Sequence, residues 1–123
     1  MIRILVTGSR NWSDVEIVES ALSNWWHTLR VAGDVTLVHG ACPTGADHIA
    51  DEIWTRWGQS VERHPADWRR HGRVAGPLRN QEMVDLGANV VLGFPLGDSP
   101  GTRGCMDRAR LAGLTVINYG EHR

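Results

Sequence analysis

Short apolar runs alternate along the chain with longer segments in which apolar side chains recur every three or four residues. Runs at residues 2–6, 35–38, 89–94 and 114–118, and a shorter one near Val61, are typical of buried strands. A helical segment follows each of them except the last: from a capping box of Ser13 and Glu16 to Leu29, then over residues 46–57, 78–86 and 102–112. The pattern predicts strands and helices in strict alternation.

Strands that alternate with helices at this spacing form βαβ units. We therefore predict an α/β fold: a single doubly wound, Rossmann-like three-layer domain over residues 1–123, with a five-stranded parallel sheet. In such sheets ligands bind beyond the carboxyl ends of the strands, where the direction of winding changes. The loops at those ends are therefore the candidate site.

Composition excludes several classes of chemistry. All 13 basic residues are Arg, which removes the lysine of a P-loop and that of a Schiff-base enzyme. Cys42 and Cys105 lack the spacing of a paired metal site and the density of a disulfide scaffold, which favours a reducing compartment. No apolar stretch approaches the roughly 18 residues of a membrane span, so we expect a cytoplasmic protein without a membrane partner.

Two glycine turns follow the first two predicted strands. Gly8, Ser9 and Arg10 follow the first strand, and residues 39–47, HGACPTGAD, follow the second. A missing Cβ lets the backbone bend tightly and lets an anion approach the amide N–H groups, so a phosphate suits either turn. The carboxylate of Asp47 could accept the hydroxyls of a ribose, or it could form a capping box with Thr44. The residues leave these two alternatives open.

The segment after the third strand is rich in arginine and contains one tryptophan. Residues 64–73, HPADWRRHGR, could bind phosphate or stack on a base, or they could form a solvated loop. We favour solvation for the arginines of this segment. Asp67 and Trp68 remain site candidates, because a tryptophan is costly to expose without packing.

Two further helix starts carry polar candidates. Arg79 and Asn80 fall in the first turn of the third predicted helix, where an arginine opposes the helix dipole and an anionic partner would offset that penalty. Gly101, Thr102 and Arg103 open the last helix, which fits either a phosphate contact or a plain helix start. The histidines suggest no metal set, and no Ser/His/Asp or Cys/His order stands out.

These motifs together resemble the YspA-like (cpYpsA-related) branch of the SLOG superfamily. The resemblance runs nearly end to end and is carried by the stretches VTGSR (6–10), HGACPTGAD (39–47), HPADW (64–68), GPLRNQEM (76–83) and GTR (101–103). It implies a Rossmann-like domain related to the LOG nucleotide phosphoribohydrolases and to DprA. It also implies a nucleotide or nucleotide-derived ligand, with the protein acting as an enzyme or as a sensor.

The match to the LOG enzymes themselves is partial. Arg79, Asn80 and Met83 resemble the R-K-x-x-M segment, whose Arg serves the substrate phosphate and catalysis. Gly101 and Thr102 resemble the G-T of the pattern P-G-G-x-G-T-x-x-E. The resemblance thus implies a role for Arg79 toward phosphate.

The catalytic Glu that ends the LOG pattern falls on Cys105 in this chain. Glu82 or Asp47 would have to supply a carboxylate, together with Arg79, for hydrolysis of an N-glycosidic bond. We therefore expect binding of a nucleotide or phosphoribosyl ligand at the carboxyl ends of the strands, with nucleoside-monophosphate phosphoribohydrolase activity as a variant. The alternative is DprA-like nucleic-acid binding without catalysis, which the net charge of −1 disfavours.

The remaining expectations concern partners and the composition of the site. We expect no cofactor and no metal, and a homodimer or higher homo-oligomer, because adjacent Trp25 and Trp26 cannot both lie on one narrow helix stripe. Arg79, Glu82 and Asp47 are the catalytic candidates. The predicted ligand-binding residues are Gly8, Ser9, Arg10, Gly40, Ala41, Thr44, Gly45, Ala46, Asp47, Asp67, Trp68, Arg79, Asn80, Gly101, Thr102 and Arg103.

Overall fold

The sheet has five parallel strands, and the predicted fold class is confirmed. The computed structural model describes residues 1–120, so the last three residues of the predicted domain lie outside it. The strands lie in the order β3-β2-β1-β4-β5, where β1 is Ile2–Gly8, β2 Val35–His39, β3 Val61–Arg63, β4 Val90–Phe94 and β5 Val116–Asn118. The helices are α1 (Val15–Leu29), α2 (Gly45–Arg56), α3 (Trp68–His71), α4 (Ala75–Leu86) and α5 (Pro100–Leu111). Among residues 1–120, no helix is both long and apolar enough to cross a membrane.

Alternate side chains of the central strands pack into two separate cores. Ile4 and Val6 of β1 belong to the core that α1 and α2 cover, whereas Leu5 belongs to the core that α4 and α5 cover. Successive side chains of a strand point to opposite faces, so each face of the sheet receives its own layer of helices. The result is a three-layer arrangement with the sheet in the middle.

The direction of winding changes between β1 and β4. β1 pairs with β2 on one side and with β4 on the other, so that Ile4 lies opposite both Leu37 and Val90. The chain proceeds outward from β1 to β3, crosses back to β4 and proceeds outward again to β5. The loops that leave β1 and β4 therefore diverge and open a crevice, where ligands bind in doubly wound sheets.

The loop after β1 is longer than the sequence pattern predicts. Asp14 caps α1 by accepting a hydrogen bond from a main-chain amide three residues on at 3.2 Å, so the predicted capping box of Ser13 and Glu16 is wrong. Trp12 anchors the loop, because its ring packs edge-on against Phe94 with centroids 5.4 Å apart. Its indole N–H also donates to the carbonyl oxygen of Asp14. The residues beside the crevice therefore belong to the loop and not to the first turn of α1.

Part of the segment predicted as a loop before α4 is helical. α3 begins at Trp68 and is capped by Asp67, whose carboxylate accepts a hydrogen bond from an amide three residues on at 3.1 Å. A 3₁₀ turn then leads directly into α4, which begins at Ala75 and not at Leu78. Pro77 lies in the first turn of α4, where a missing amide N–H is tolerated.

Adjacent Trp25 and Trp26 are both half-buried and make contacts within the chain. Trp25 donates its indole N–H to the hydroxyl of Tyr119 at 3.1 Å. Trp26 packs against Trp57 with ring centroids 6.1 Å apart. A homodimer remains a prediction.

We predict that Gly45→Ala destabilises the protein much more than Gly58→Ala. Both glycines have φ of +74°, so each substitution costs about 1–2 kcal/mol for the left-handed conformation. A Cβ at Gly45 would also collide with the carbonyl oxygen of Ser9, whereas a Cβ at Gly58 would meet nothing within 4 Å. The collision should add roughly 1–3 kcal/mol to the loss at Gly45. Urea denaturation measures both losses, and equal losses would contradict the packing of α2 against the β1 loop.

Candidate functional site

A cleft opens at the carboxyl edge of the sheet, between the loops after β1, β2 and β4 and the first turns of α4 and α5. Its inner cavity has a volume of about 480 Å³ and reaches the buried β1 residues Val6 and Thr7. Its outer cavity has a volume of about 730 Å³ and is bounded in part by proline and alanine side chains. The two cavities form one cleft, since they share the lining residues Arg10, Gly40, Cys42, Trp68 and Arg79.

Most of the predicted ligand-binding residues come together in this cleft, although they arise from five segments of the chain. The inner cavity contains candidates from the turns after β1 and β2, from α3 and from the starts of α4 and α5. The predicted residues that line one or both cavities are Gly8, Ser9, Arg10, Gly40, Ala41, Thr44, Asp47, Trp68, Arg79, Asn80, Gly101 and Thr102.

Gly45, Ala46 and Arg103 lie outside the lining and support the loops that form it. The amide of Ala46 donates to the carbonyl oxygen of Ser9 at 3.3 Å, and Gly45 packs against the same loop. The guanidinium of Arg103 donates to the carbonyl oxygen of Gly97 at 2.8 Å, in the loop after β4. These residues position the cleft without bordering it.

Asp67 and Glu82 also lie outside the lining. The carboxylate of Asp67 caps α3. The side chain of Glu82 is 64% exposed, and its Oε1 lies 3.5 Å from Nδ1 of His64. In this structure neither carboxylate reaches the cleft.

Sequence reasoning missed lining residues on both sides of the point between β1 and β4 where the direction of winding changes. Leu96 and Ser99 lie in the loop after β4, and the rule that placed the site at the carboxyl ends of strands could have found them. Thr7 lies at the carboxyl end of β1 and Met83 belongs to the R-K-x-x-M resemblance, so both carried a signal, although neither was among the predicted ligand-binding residues. The added lining residues are Val6, Thr7, Asn11, Cys42, Pro43, Pro65, Ala66, Gly76, Pro77, Met83, Leu96, Ser99 and Pro100.

The carboxylate of Asp47 holds the turn after β2. Its Oδ2 accepts hydrogen bonds from the amides of Gly40 at 3.2 Å and Cys42 at 3.3 Å, whereas its Oδ1 is buried without a partner. The capping alternative is wrong, because Thr44 makes no side-chain cap and donates its hydroxyl instead to the carbonyl oxygen of Arg10 at 2.9 Å. Burial raises the pKa of Asp47, against the lowering effect of its charged neighbours and of the two amides.

The guanidinium of Arg79 reaches the same turn from α4. It donates to the carbonyl oxygen of Gly40, and to that of His64 at 3.3 Å, while its Nε donates to Oδ1 of Asn80 at 2.7 Å. A Cβ at Gly40 would lie 2.5 Å from Nη1 of Arg79, so only glycine admits this approach. Because α4 begins at Ala75, Arg79 lies in its second turn, and the predicted conflict with the helix dipole is weaker than expected.

A chain of polar contacts starting at His39 also supports the turn after β2. Nδ1 of His39 accepts a hydrogen bond from the amide of Ala41 at 2.9 Å, so the ring carries its proton on Nε2 and donates it to Asp51 at 2.6 Å. Arg63 donates to both oxygens of Asp51, at 2.7 and 3.1 Å, and this pairing lowers the pKa of Asp51. Ala41 is thereby held at a φ of +58°, a conformation that costs energy for a residue with a side chain.

The start of α5 borders the inner cavity with a strained backbone. Ser99 precedes the helix at a φ of +36° and makes no side-chain cap. Gly101 and Thr102 line the cavity, and the first amides of a helix without a side-chain cap retain their capacity to bind an anion. Arg10 lines both cavities, and its guanidinium has no partner within residues 1–120.

Cys105, at the place of the catalytic Glu in the LOG pattern, lies inside the molecule. It is 0% exposed and packs with Leu5 and Val91 in the core between the sheet and α5. Burial raises the pKa of its thiol. This position therefore contributes no side chain to the cleft. Within residues 1–120, no three His, Cys, Asp or Glu side chains lie close enough together to hold a metal ion.

Comparison with known proteins agrees with the resemblance drawn from the motifs. The family model described as YAcAr, the YspA, cpYpsA-related SLOG family, matches residues 2–71. The chain belongs to this family. The Gene 61 protein of Mycobacterium phage D29 is 48% identical over 128 aligned residues, which cover 98% of each chain. In this SLOG protein the matched residues include the turns after β1 and β2 and extend through α3. Helices α4 and α5, which complete the cleft, lie beyond the matched residues.

We predict that Cys42 reacts with Ellman's reagent in the native protein and that Cys105 does not. Cys42 is half-buried at the cleft, whereas Cys105 is fully buried and its thiolate is scarce because burial raises its pKa. Absorbance should report one fast thiol in the native protein and two after denaturation. Cys42→Ser should abolish the fast reaction and Cys105→Ser should preserve it, and the reverse result would contradict the placement of these residues.

We predict that wild-type stability, measured relative to that of Asp47→Asn, falls as pH rises. Because burial raises the pKa of Asp47, the folded protein binds a proton there that the unfolded chain releases. The stability linked to this proton is fully present below the pKa of Asp47 in the unfolded chain, about 4. It is lost as pH rises through the pKa of Asp47 in the folded protein.

Urea denaturation of both proteins from about pH 4 to about pH 8 measures this difference. The lowered pKa values of Asp51 and Glu62 affect both proteins and cancel in the comparison. A difference that does not change with pH would show that Asp47 titrates alike in the folded and unfolded chains.

Proposed function

We propose that the chain binds a phosphorylated ribonucleoside, or a related phosphoribosyl metabolite, in the cleft at the carboxyl edge of the sheet. The observation that carries the proposal is Oδ1 of Asp47, a buried carboxylate oxygen without a hydrogen-bond partner in a residue that lines the inner cavity. Such an atom is costly to bury, and a ligand hydroxyl would satisfy it. Membership in the SLOG family supports a nucleotide-related ligand.

The charges of the cleft favour an anionic ligand. The guanidinium groups of Arg10 and Arg79 border it, and Asp47 is the only carboxylate among the described lining residues. The first turn of α5 adds main-chain amides and the hydroxyl of Thr102. A phosphate combines a negative charge with several hydrogen-bond acceptors, which is what these groups can bind.

We assign the two ends of the phosphoribosyl group as follows. The phosphate is held by Arg10, by the hydroxyls of Ser9 and Thr102, and by the amides at the start of α5. The ribose donates a hydroxyl to Oδ1 of Asp47. Arg79 neutralises the phosphate in part while it continues to hold the turn after β2.

The same residues favour binding over hydrolysis of the N-glycosidic bond. The LOG pattern pairs an Arg with a Glu for hydrolysis, and the one carboxylate of the described lining, that of Asp47, already accepts hydrogen bonds from two main-chain amides. Glu82 is not among the described lining residues, and Cys105 lies in the core. Nucleoside monophosphates incubated with the protein should therefore remain intact in chromatography, whereas release of free base would assign turnover to the cleft.

Nucleic-acid binding is the weaker proposal. The exposed side chains of Arg69, Arg70 and Arg73 lie close in sequence to Trp68 and favour contact with a polyanion. The net charge of −1 disfavours it, because nucleic-acid-binding domains are usually basic. Retention of single- or double-stranded DNA in a gel-shift assay, falling steeply with salt, would support this second candidate.

We predict that adenosine 5′-monophosphate and ribose 5-phosphate bind in calorimetry more tightly than adenosine, which has no phosphate. Arg10→Ala should weaken the binding of both phosphorylated compounds about tenfold or more, which is the scale of a lost charge-assisted hydrogen bond. Arg69→Ala removes an exposed arginine outside the cleft and should bind as the wild type does. Absence of binding by any of these compounds at millimolar concentration would overturn the proposed function.

A further inference from the structure

Trp68 differs from the other tryptophans of the chain in having no packing partner for much of its ring. It is 53% exposed, whereas the remaining tryptophans are buried or half-buried. Within residues 1–120 its indole N–H makes no hydrogen bond and its ring forms no aromatic pair. By contrast, Trp54 donates its indole N–H to the carbonyl oxygen of Ser60 at 2.9 Å. An unpaired indole ring exposed at a cleft is a surface that another π system can cover.

The backbone that carries Trp68 is held by a helix cap, although the ring itself is exposed. Asp67 caps α3 directly before it, and the amide of His71 donates to the carbonyl oxygen of Asp67 at 3.0 Å. The ring edge lies against Gly76 of α4, where an added Cβ would be 3.3 Å from Cη2 of the indole. Trp68 therefore follows a helix cap, and one edge of its ring lies against the backbone of α4.

The surroundings of the ring suit a flat aromatic group that belongs to a charged ligand. Trp68 lines both cavities, and Pro43, Pro65 and Ala66 border the outer cavity with small apolar surfaces. The guanidinium of Arg10 borders the same space and can stack on a π face. Trp68 and Asp47 line the same inner cavity, so a base linked to a ribose at Asp47 stays within the cleft when it reaches the indole.

We propose that Trp68 is the stacking wall of a nucleobase subsite, so that the ligand is a complete nucleotide and not a phosphosugar. This inference rests on the proposed function and adds the aromatic end of the ligand to it. The base stacks on the indole at the outer cavity, while the ribose and phosphate occupy the inner cavity. Trp68 then determines specificity between compounds that share the same phosphoribosyl group.

The experiment compares the four nucleoside 5′-monophosphates with ribose 5-phosphate in calorimetry, using the wild type, Trp68→Ala and Trp68→Phe. Trp68→Ala should weaken the binding of the tightest-binding nucleotide by about tenfold or more, which is the scale of one lost base-stacking contact. Affinity for ribose 5-phosphate should not change, and Trp68→Phe should recover most of the loss. Val74→Ala is the matched control, because Val74 is equally exposed nearby but lines neither cavity.

The outcomes separate this inference from the proposed function. Equal affinity of the wild type for nucleotides and ribose 5-phosphate, or equal weakening of both by Trp68→Ala, overturns the nucleobase subsite and leaves the phosphoribosyl site standing. No binding of any of these compounds overturns both. If sedimentation shows that Trp68→Ala dissociates an oligomer while nucleotide affinity is unchanged, the ring belongs to an interface between copies and the inference fails.

Discussion

Two ionisable side chains hold the turn after β2 from opposite faces of the sheet, and the cleft depends on them. Asp47 comes from α2 on one face, and its carboxylate accepts hydrogen bonds from the amides of Gly40 and Cys42. Arg79 comes from α4 on the other face, and its guanidinium donates to the carbonyl oxygen of Gly40. Both main-chain polar groups of one glycine are thus satisfied by side chains, and that glycine has no Cβ to block them.

Holding the turn in this way carries an energetic cost. One oxygen of Asp47 is buried without a partner, and burial raises the pKa of that carboxyl. Ala41 and Ser99 have positive φ at the loops after β2 and β4, which border the cleft. Strain and unsatisfied polar atoms persist only where the surrounding structure enforces them, and they concentrate at binding sites. Here the enforcing contacts include the hydrogen bond from the amide of Ala41 to His39.

The lining of the cleft carries more positively charged than negatively charged side chains. Two guanidinium groups border it with one carboxylate, and that carboxylate already holds a turn. The position that resembles the catalytic acid of the LOG pattern carries Cys105, whose thiol contributes to the core instead. A site of this composition can neutralise a phosphate and accept a hydroxyl.

The spacing of apolar residues determined how strands and helices alternate along the chain. It also determined that the sheet is parallel and on which edge of the sheet the cleft opens. Those features follow from local periodicity and from the rule that parallel strands end at a common edge. Only the tertiary structure decided which groups Asp47 accepts hydrogen bonds from, that Asp14 and not Ser13 caps α1, and that Glu82 and Asp67 lie outside the lining of the cleft. Hydrogen-bond partners and side-chain directions depend on residues distant in sequence. Periodicity therefore predicts which loops meet but not which side chain fills the space between them.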